Sequence, residues 1–339
     1  MKIIGVFAFA LIIVFVFVRT NGENQDHRYR IMFYNVENLF DTYNDSLKAD
    51  DDFTPGGRMH WTSARFKSKI NNLSKVIIAA GEWQPPVVVG LCEVENLKVI
   101  NRLIYETPLG EFDYKPIHFE SSDGRGIDVA LIYREKFVRI LHSSAIRIKK
   151  HDLFTRDILY CKAKIEDEIF HIFINHWPSR SAGQIETEEL RMAASQTLRH
   201  AIDSLFNVST SEQVIILGDL NDEPTDISVE KGLLARSPGI NIEQGTLYNL
   251  SRASKGQVKG TLKYQGVWNI FDQIIVSGGL LEDDGLNVQA DGYRIFHTPM
   301  MIETDKTYNG VKPFRTYLGF RYHGGYSDHL PVYVDICRE

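Results

Sequence analysis

Short apolar runs separated by polar stretches dominate the chain, and only a few segments carry the three-to-four-residue repeat of an amphipathic helix. Arg30 to Val36 reads as a strand. Thr62 and Ser63 offer a helix cap, and Phe66, Ile70, Leu73, Ile77 and Ile78 recur behind them at helical spacing until Pro85 and Pro86 stop the helix. Val87 to Leu91 is continuously apolar between proline and acid, as expected of a strand buried on both faces, and Glu95 to Tyr105 predicts a helix. Asp128 to Tyr133, Val138 to Ile148, Ile158 to Ile165 and Ile169 to Asn175 follow in close succession, which predicts antiparallel strands. A long helix over roughly Ile185 to Phe206 precedes strands at Gln213 to Leu217, Trp268 to Val276 and Leu330 to Ile336. Such a mixture buries its apolar faces as an α/β sandwich, sheets inside and helices outside.

The first segment stands apart. Lys2 precedes an apolar run from Ile3 to Val18, then Arg19 and the polar stretch Thr20 to Arg28, the layout of a secretory signal. The run is short of the ~20 apolar residues that a bilayer span needs. We expect a signal peptide over residues 1–22 and one domain over 23–339, exported to the periplasm or secreted; no Pro/Gly/Ser-rich linker marks a second domain. Of the 339 residues, 43% are hydrophobic and 24% charged, which excludes a disordered chain and a multi-span membrane protein. The net charge of −6 argues against a broad cationic face but leaves room for a local cationic groove. Cys92, Cys161 and Cys337 allow at most one bridge, have no metal-ligand spacing, and read as buried core thiols.

Polar residues cluster where apolar strands end. Asn35 and Glu37 follow one strand, Glu93 and Glu95 a second, Asn175 and His176 a third, and Asp219, Asn221 and Asp222 a fourth; Asp272 interrupts a fifth, and Ser327-Asp328-His329 precedes the last. Any one of these acids or amides serves equally well as a turn residue. Together, carboxylates, amides and two histidines make a site for a hard cation such as Mg²⁺, which favours oxygen ligands. Structural zinc does not suit that set, and no Gly-x-x-x-x-Gly-Lys loop is present for a nucleoside triphosphate.

The segments Tyr34-Asn35-Val36-Glu37-Asn38, Gly90-Leu91-Cys92-Glu93-Val94-Glu95-Asn96, Ile174-Asn175-His176-Trp177-Pro178-Ser179-Arg180, Gly218-Asp219-Leu220-Asn221 and Ser327-Asp328-His329-Leu330-Pro331 resemble, in this order, the endonuclease/exonuclease/phosphatase superfamily over residues 30–337. The resemblance implies a four-layer α/β sandwich, two mostly antiparallel sheets packed face to face with helices outside. It implies metal ligation of Mg²⁺ or Mn²⁺ by Glu93, Asn35 and Asp328. Asp219 and Asn221 are then expected to position the attacking water and the phosphate. His329 resembles the histidine oriented by a carboxylate, here Asp272, and His176 a second histidine at the phosphate. Either His329 or Asp219 is a fit base for the water.

Three positions carry alternatives. Asp128 is a possible orienting residue for His176 or a turn acid, Arg180 a phosphate clamp or a solvated loop arginine, and Glu95 a second ligand or the first acid of the following helix. Tyr308 to Tyr326 interleaves Lys312, Arg315 and Arg321 with aromatics, a composition for stacking bases or for a buried hairpin. Asp50-Asp51-Asp52 reads as a solvated acidic turn. The expected activity is hydrolysis of phosphoester bonds, with an endonuclease on nucleic acid as the leading reading and a phosphatase or lipid phosphodiesterase on inositol phosphates or sphingomyelin as the alternative. No obligate protein partner is evident, and a monomer is expected.

Overall fold

Strand β1 (Tyr29–Leu39) is apolar on both faces, so it belongs in the middle of a sheet: Ile31 and Phe33 face one core, Met32 and Tyr34 another. The computed structural model describes residues 28–148, 155–253, 258–282 and 285–338, so the segment read as a signal peptide lies outside the described residues. Helix α1 (Ser63–Ala80) starts where Thr62 accepts a hydrogen bond from the N–H of Arg65, and it buries Phe66, Ile70, Leu73 and Ile77. After β2 (Val88–Val94), Asn96 caps α2 (Leu97–Tyr105) by accepting from the N–H of Val99. Glu95 therefore precedes the helix instead of opening it.

An edge strand, β3 (Tyr114–His118), was not legible in the pattern, because Pro116 disguises it and only one neighbour, β4 (Asp128–Arg134), pairs with it. The antiparallel run β5 (Val138–Ile146), β6 (Ile158–Ile165) and β7 (Glu168–His176) follows, then α3 (Glu188–Phe206) and β8 (Gln213–Asp219). The run Trp268 to Val276 breaks in two. Val267–Asn269 forms a hairpin with Leu262–Tyr264, whereas Asp272–Ser277 joins β8; between them the Ile270 N–H turns to the Glu223 carboxylate at 3.3 Å. The final strand starts at Val332, just past Pro331, which has no N–H to give a ladder.

The strands form two large sheets. One runs Leu286–Val288, Val332–Arg338, β1, β2, β4, β3; the other runs β5, β6, β7, β8, Asp272–Ser277, Leu247–Asn249, Ala235–Arg236. Both are mostly antiparallel, with parallel pairs at β1/β2, at β7/β8 and, at the edge of the second sheet, between Leu247–Asn249 and Ala235–Arg236. Ile31, Phe33, Leu131, Ile172, Ile215 and Ile274 fill the space between the sheets. Helices α1 and α2 cover the outer face of the first sheet, and α3 covers the second with Ala194, Leu198 and Ile202 against Val214, Ile216 and Ile275. The result is the four-layer sandwich. Cys92 and Cys161 are buried thiols in the central core. Among the described residues no helix is long and apolar enough to cross a membrane.

Where β7 and β8 run side by side, Gly218 lies opposite Asn175, and a Cβ there would stand 2.7 Å from both the Cβ and the carbonyl oxygen of Asn175. Gly218→Ala is expected to destabilise the fold by ~1–3 kcal/mol, the usual cost of overpacking. A thermal melt checks this; an unchanged Tm would mean that the strands separate without penalty.

Candidate active site

The parallel pairs β1/β2 and β7/β8 aim their carboxyl ends at the same rim, and the strand Asp272–Ser277, antiparallel to β8, starts there. β1 thereby delivers Asn35 and Glu37, β2 delivers Glu93, β7 delivers His176 and β8 delivers Asp219, with Asp272 directly opposite Asp219 in register. Backbone irregularities finish the placement. The β1/β2 register slips between Asn35 and Leu39, and the β2/β4 register slips between Cys92 and Val94. Glu37, Asn38, Glu93 and Asn221 adopt φ of 51°, 54°, 61° and 50°, a left-handed conformation costing ~1–3 kcal/mol each that persists where surrounding structure enforces it. At β2 the bulge carries Glu93 out of the core alternation and onto the rim.

A continuous hydrogen-bond network joins these groups. Asn35 Nδ2 donates to Glu93 Oε1 at 3.3 Å and to Asp219 Oδ2 at 3.0 Å, while its Oδ1 accepts the N–H of Glu37 at 3.0 Å. Glu93 Oε2 accepts the N–H of Asn38 at 2.9 Å. Asn221 donates its N–H to Asp219 Oδ1 and its side-chain amide to the Trp177 carbonyl, each at 3.0 Å. Ser327 Oγ donates to the Asn35 carbonyl and accepts the N–H of His329, tying the last turn to β1.

Charge is divided unevenly between the histidines. His329 Nδ1 donates to Asp272 Oδ2 at 2.6 Å, and its Nε2 lies 3.7 Å from Asp219 Oδ2. Burial opposes its charge, but the carboxylates of Asp272 and Asp219 outweigh burial and hold its pKa well above the usual imidazole range. His176 Nε2 lies 3.8 Å from Asp219 and 4.0 Å from Glu93, yet burial, with Arg156 and Arg125 nearby, drives its pKa well down. One imidazole is therefore a cation at neutral pH and the other is neutral. Burial lifts Asp219 to about 6, so above that pH it is a carboxylate between the two rings.

Several residues take places different from those read in the sequence. Asp128 does not contact His176; it accepts the N–H of Ser121 and lies 3.3 Å from His118. Arg180 is no open phosphate clamp, because its guanidinium binds Asp222 at 2.7 Å, Asp226 and the Asn221 carbonyl, and lies over the Phe271 ring. Asn35 turns its nitrogen, not its oxygen, toward Glu93, so it orients that carboxylate instead of offering a metal ligand. Asp328, opposite in role, is half clasped: Arg315 donates to its Oδ2 at 2.7 Å and to Glu37 Oε1 at 3.2 Å. Asp50 is buried and caps the N–H of Asp45, so the acidic triplet is not simply a solvated turn.

Glu95 is neither in the helix nor in the Glu93 network. Its carboxylate accepts the N–H of Asp41, and burial, reinforced by Asp41, Asp50 and Glu120, lifts it from an ordinary 4.5 to about 8. A carboxyl raised in this way costs stability when charged: the cost is complete above pH 8 and vanishes below 4.5. Glu95→Gln, melted in chelator, is expected to gain Tm over the wild type at pH 8 and to lose that gain as the pH falls toward 4.5. A pH-independent difference would contradict the assignment.

The sequence reading missed Lys69 and Arg156. Lys69 is completely buried on the apolar face of α1, 3.9 Å from Glu37, and donates to Thr316 Oγ1 and the Tyr326 carbonyl; burial lowers it to about 8. A lone lysine between Phe66, Ile70 and Leu73 was the readable signal. Arg156 donates to the carbonyls of His176 and Trp177 and to Asp123, bracing the turn that carries His176 from behind. Its partners lie too far along the chain for spacing to show them.

Glu93 and Asp328 are the acids that open onto the rim, their side chains 17% and 22% exposed, whereas Asp219 and Asp272 are closed off. Both act electrostatically on Lys69 and Arg315. Both keep carboxylate oxygen open to the rim although Asn35 Nδ2 stands 3.3 Å from Glu93 and Arg315 2.7 Å from Asp328, and carboxylate oxygen suits a hard divalent ion. Two further donor groups, Cys92–His176–Asp219 and Asp219–Asp272–His329, are buried, and burial keeps the Cys92 thiol protonated. Glu93 and Asp328 would hold the ion, with Asn35 steering Glu93, and the ion would supply charge neutralisation at a phosphate oxygen.

A buried acid between a neutral and a charged imidazole, beside open carboxylates, supplies the residue types that metal-assisted hydrolysis of a phosphoester needs. The chain belongs to the Endonuclease/Exonuclease/phosphatase family, which it matches over residues 30–338. Its fold is shared by an endonuclease/exonuclease/phosphatase family protein from Bacteroides thetaiotaomicron, with 16% identity, TM-score 0.59, and 93% of this chain and 99% of that one covered. The Bacteroides thetaiotaomicron mannosyl-6-phosphatase aligns at 16% identity and TM-score 0.57, covering 91% and 99%. A humanized D. rerio TDP2 aligns at 16% identity and TM-score 0.56, covering 91% and 98%. No curated protein matches the chain. Enzymes of this family depend on divalent metals and hydrolyse phosphoester bonds, and this chain carries candidate groups for such an ion.

Proposed function

We propose that the protein is an exported, Mg²⁺- or Mn²⁺-dependent phosphoesterase that hydrolyses a compact phosphate ester by direct attack of water, acting as a monomer. The observation that carries the substrate class is the state of the cations at the rim. Arg180 is held by Asp222 and Asp226, Arg315 by Asp328 and Glu37, Lys263 by Asp305, and Lys312 faces Glu303. Cations committed to internal carboxylates have little left for a row of phosphates along a nucleic acid. Beside Arg315 and Asp328 lies a cavity of about 200 Å³ lined also by Tyr264, Tyr308 and Lys312. That is below the ~300–1,000 Å³ of pockets for drug-sized ligands, a scale for one ring-sized leaving group.

In the proposed reaction Asp219, ionised above about pH 6, accepts a proton from the attacking water. His329, held cationic by Asp272, donates a hydrogen bond to a phosphoryl oxygen, and neutral His176 does so from the other side. Water's oxygen bonds to phosphorus as the bond from phosphorus to the ester oxygen breaks, the released oxygen takes up a proton from bulk water, and no phosphoenzyme forms.

A nuclease reading is favoured by one observation: Tyr264, Tyr308 and Phe320 are exposed aromatics on the hairpins, open to stacking bases. The two readings separate when supercoiled plasmid is compared with sugar phosphates, inositol phosphates and sphingomyelin under Mg²⁺, Mn²⁺ and chelator, beside His329→Ala. Turnover of a small ester with intact plasmid is the expected result. Metal-dependent nicking lost in the variant would replace it with the nuclease. Export rests on the Lys2-to-Arg28 layout, and the mass of the secreted product, expected to begin near residue 23, checks it.

A further inference from the structure

A second polar cluster lies apart from the Glu93 network, at the root of the loop joining β3 to β4. His118 ends β3, Glu120 follows it, and Asp128 starts β4. Their ligand atoms lie within 4.8 Å of one another. The His118 and Asp128 side chains are 3% and 2% exposed, with Nε2 and Oδ2 only 3.3 Å apart, yet neither atom has a hydrogen-bond partner. The other Asp128 oxygen is satisfied by the Ser121 N–H. Glu120, at the solvent side, places Oε1 3.9 Å from His118 Nδ1.

Two buried, unpartnered atoms facing each other are costly unless something sits between them. Ligands ~2.0–2.2 Å from one ion stand ~3.0–3.5 Å apart, and the 3.3 Å separation matches that spacing. The surroundings are acidic. Burial raises the Glu120 carboxyl, and Asp128 and Asp45 add to the rise against His118 and Lys48; Asp157 also feels Asp128. Lys48 spends its hydrogen bonds on the carbonyls of Ser121 and Asp123.

We propose that His118, Glu120 and Asp128 form a second divalent-cation site, of zinc type, that staples the 119–127 loop. One imidazole with two carboxylates favours Zn²⁺ over the oxygen-only Mg²⁺ and Ca²⁺. The staple has a purpose in the fold. Asp123, inside the loop, accepts from Arg156 Nη1 at 3.0 Å, and Arg156 in turn holds the carbonyls of His176 at 3.2 Å and Trp177 at 2.7 Å. A cation at the loop root thus steadies the bracket behind His176 without touching substrate; the three ligands are positioning residues.

Zinc titrations read by native mass spectrometry and by thermal melts test the site in the full protein, in His118→Gln, in Glu120→Gln and in Glu93→Gln. Glu93→Gln should keep one tight zinc equivalent and the zinc-induced rise in Tm, and His118→Gln should lose both. Wild-type zinc stoichiometry and affinity in a folded His118→Gln overturn the proposal, as does a wild type whose bound zinc is all lost with Glu93. If His118→Gln fails to fold by circular dichroism, Glu120→Gln decides alone, because its exposed side chain is replaced without disturbing packing: retained zinc binding overturns, lost binding supports.

Discussion

Replacing His329 with alanine is expected to lower kcat by at least ~10²-fold, the scale of losing a preorganised charge or proton-transfer group at the reacting phosphate. The expectation rests on place as well as charge. His329 is buried, its Nδ1 is fixed by Asp272 at 2.6 Å, and its Nε2 is 3.7 Å from Asp219, the proposed base. Alanine also leaves the fully buried Asp272 carboxylate without its cation, and removing one partner of a buried pair costs ~3–5 kcal/mol. His329→Asn separates the two effects, since its amide nitrogen stands where Nδ1 did and still donates to Asp272. Both variants should lose activity, whereas His329→Ala should lose more Tm than His329→Asn. Full activity in a folded His329→Asn would remove the imidazolium from the mechanism.

Glu93→Gln should abolish turnover at ordinary metal concentrations and weaken metal binding by more than the ~10–100-fold typical of mutating a residue behind a ligand. The substitution is nearly isosteric and keeps an oxygen for the Asn38 N–H, so the left-handed backbone at φ 61° has no reason to relax. What disappears is a negative charge from a cluster in which Glu37, Glu93 and Asp328 share Lys69 and Arg315. Stability should therefore change little, because the relief of like charge is offset by a new amide facing the Asn35 Nδ2 donor, while Mn²⁺ affinity, read by electron paramagnetic resonance, falls. Unchanged affinity and activity would move the ion elsewhere, with the closed Asp219 as the next acid to test.

The strand-end chemistry was legible because polar residues at the tips of long apolar runs have few structural reasons to recur. The β1, β2, β7 and β8 runs identified the sheets, and the order of the motifs identified the family and its layers. Side-chain direction was not legible. Arg180 and Asp128 have the right residue type at a suggestive place, but Asp222 and Asp226 capture one and His118 faces the other, through contacts that chain spacing does not encode. Asn35 shows the finer limit: its position is at the site, while its amide orientation depends on the Glu37 N–H. The strand expected over Trp268 to Val276 failed at Ile270, where a distant carboxylate, Glu223, competes for a backbone donor. Lys69 was the opposite case, a charged residue on an apolar helix face whose partners are Glu37 in β1 and, from the other end of the chain, Thr316 and Tyr326.

The proposed reaction stands on a metal-assisted attack of water on phosphorus with Asp219 as base. Single-turnover hydrolysis of a small phosphate ester in ¹⁸O-labelled water, with Mg²⁺ and with chelator, for wild type and Asp219→Asn, tests it most directly. The expected result is ¹⁸O in the released phosphate at the first turnover, no labelled product in chelator, and a loss of at least ~10²-fold in Asp219→Asn. Unlabelled phosphate from the first turnover, or an equally fast Asp219→Asn, would contradict it.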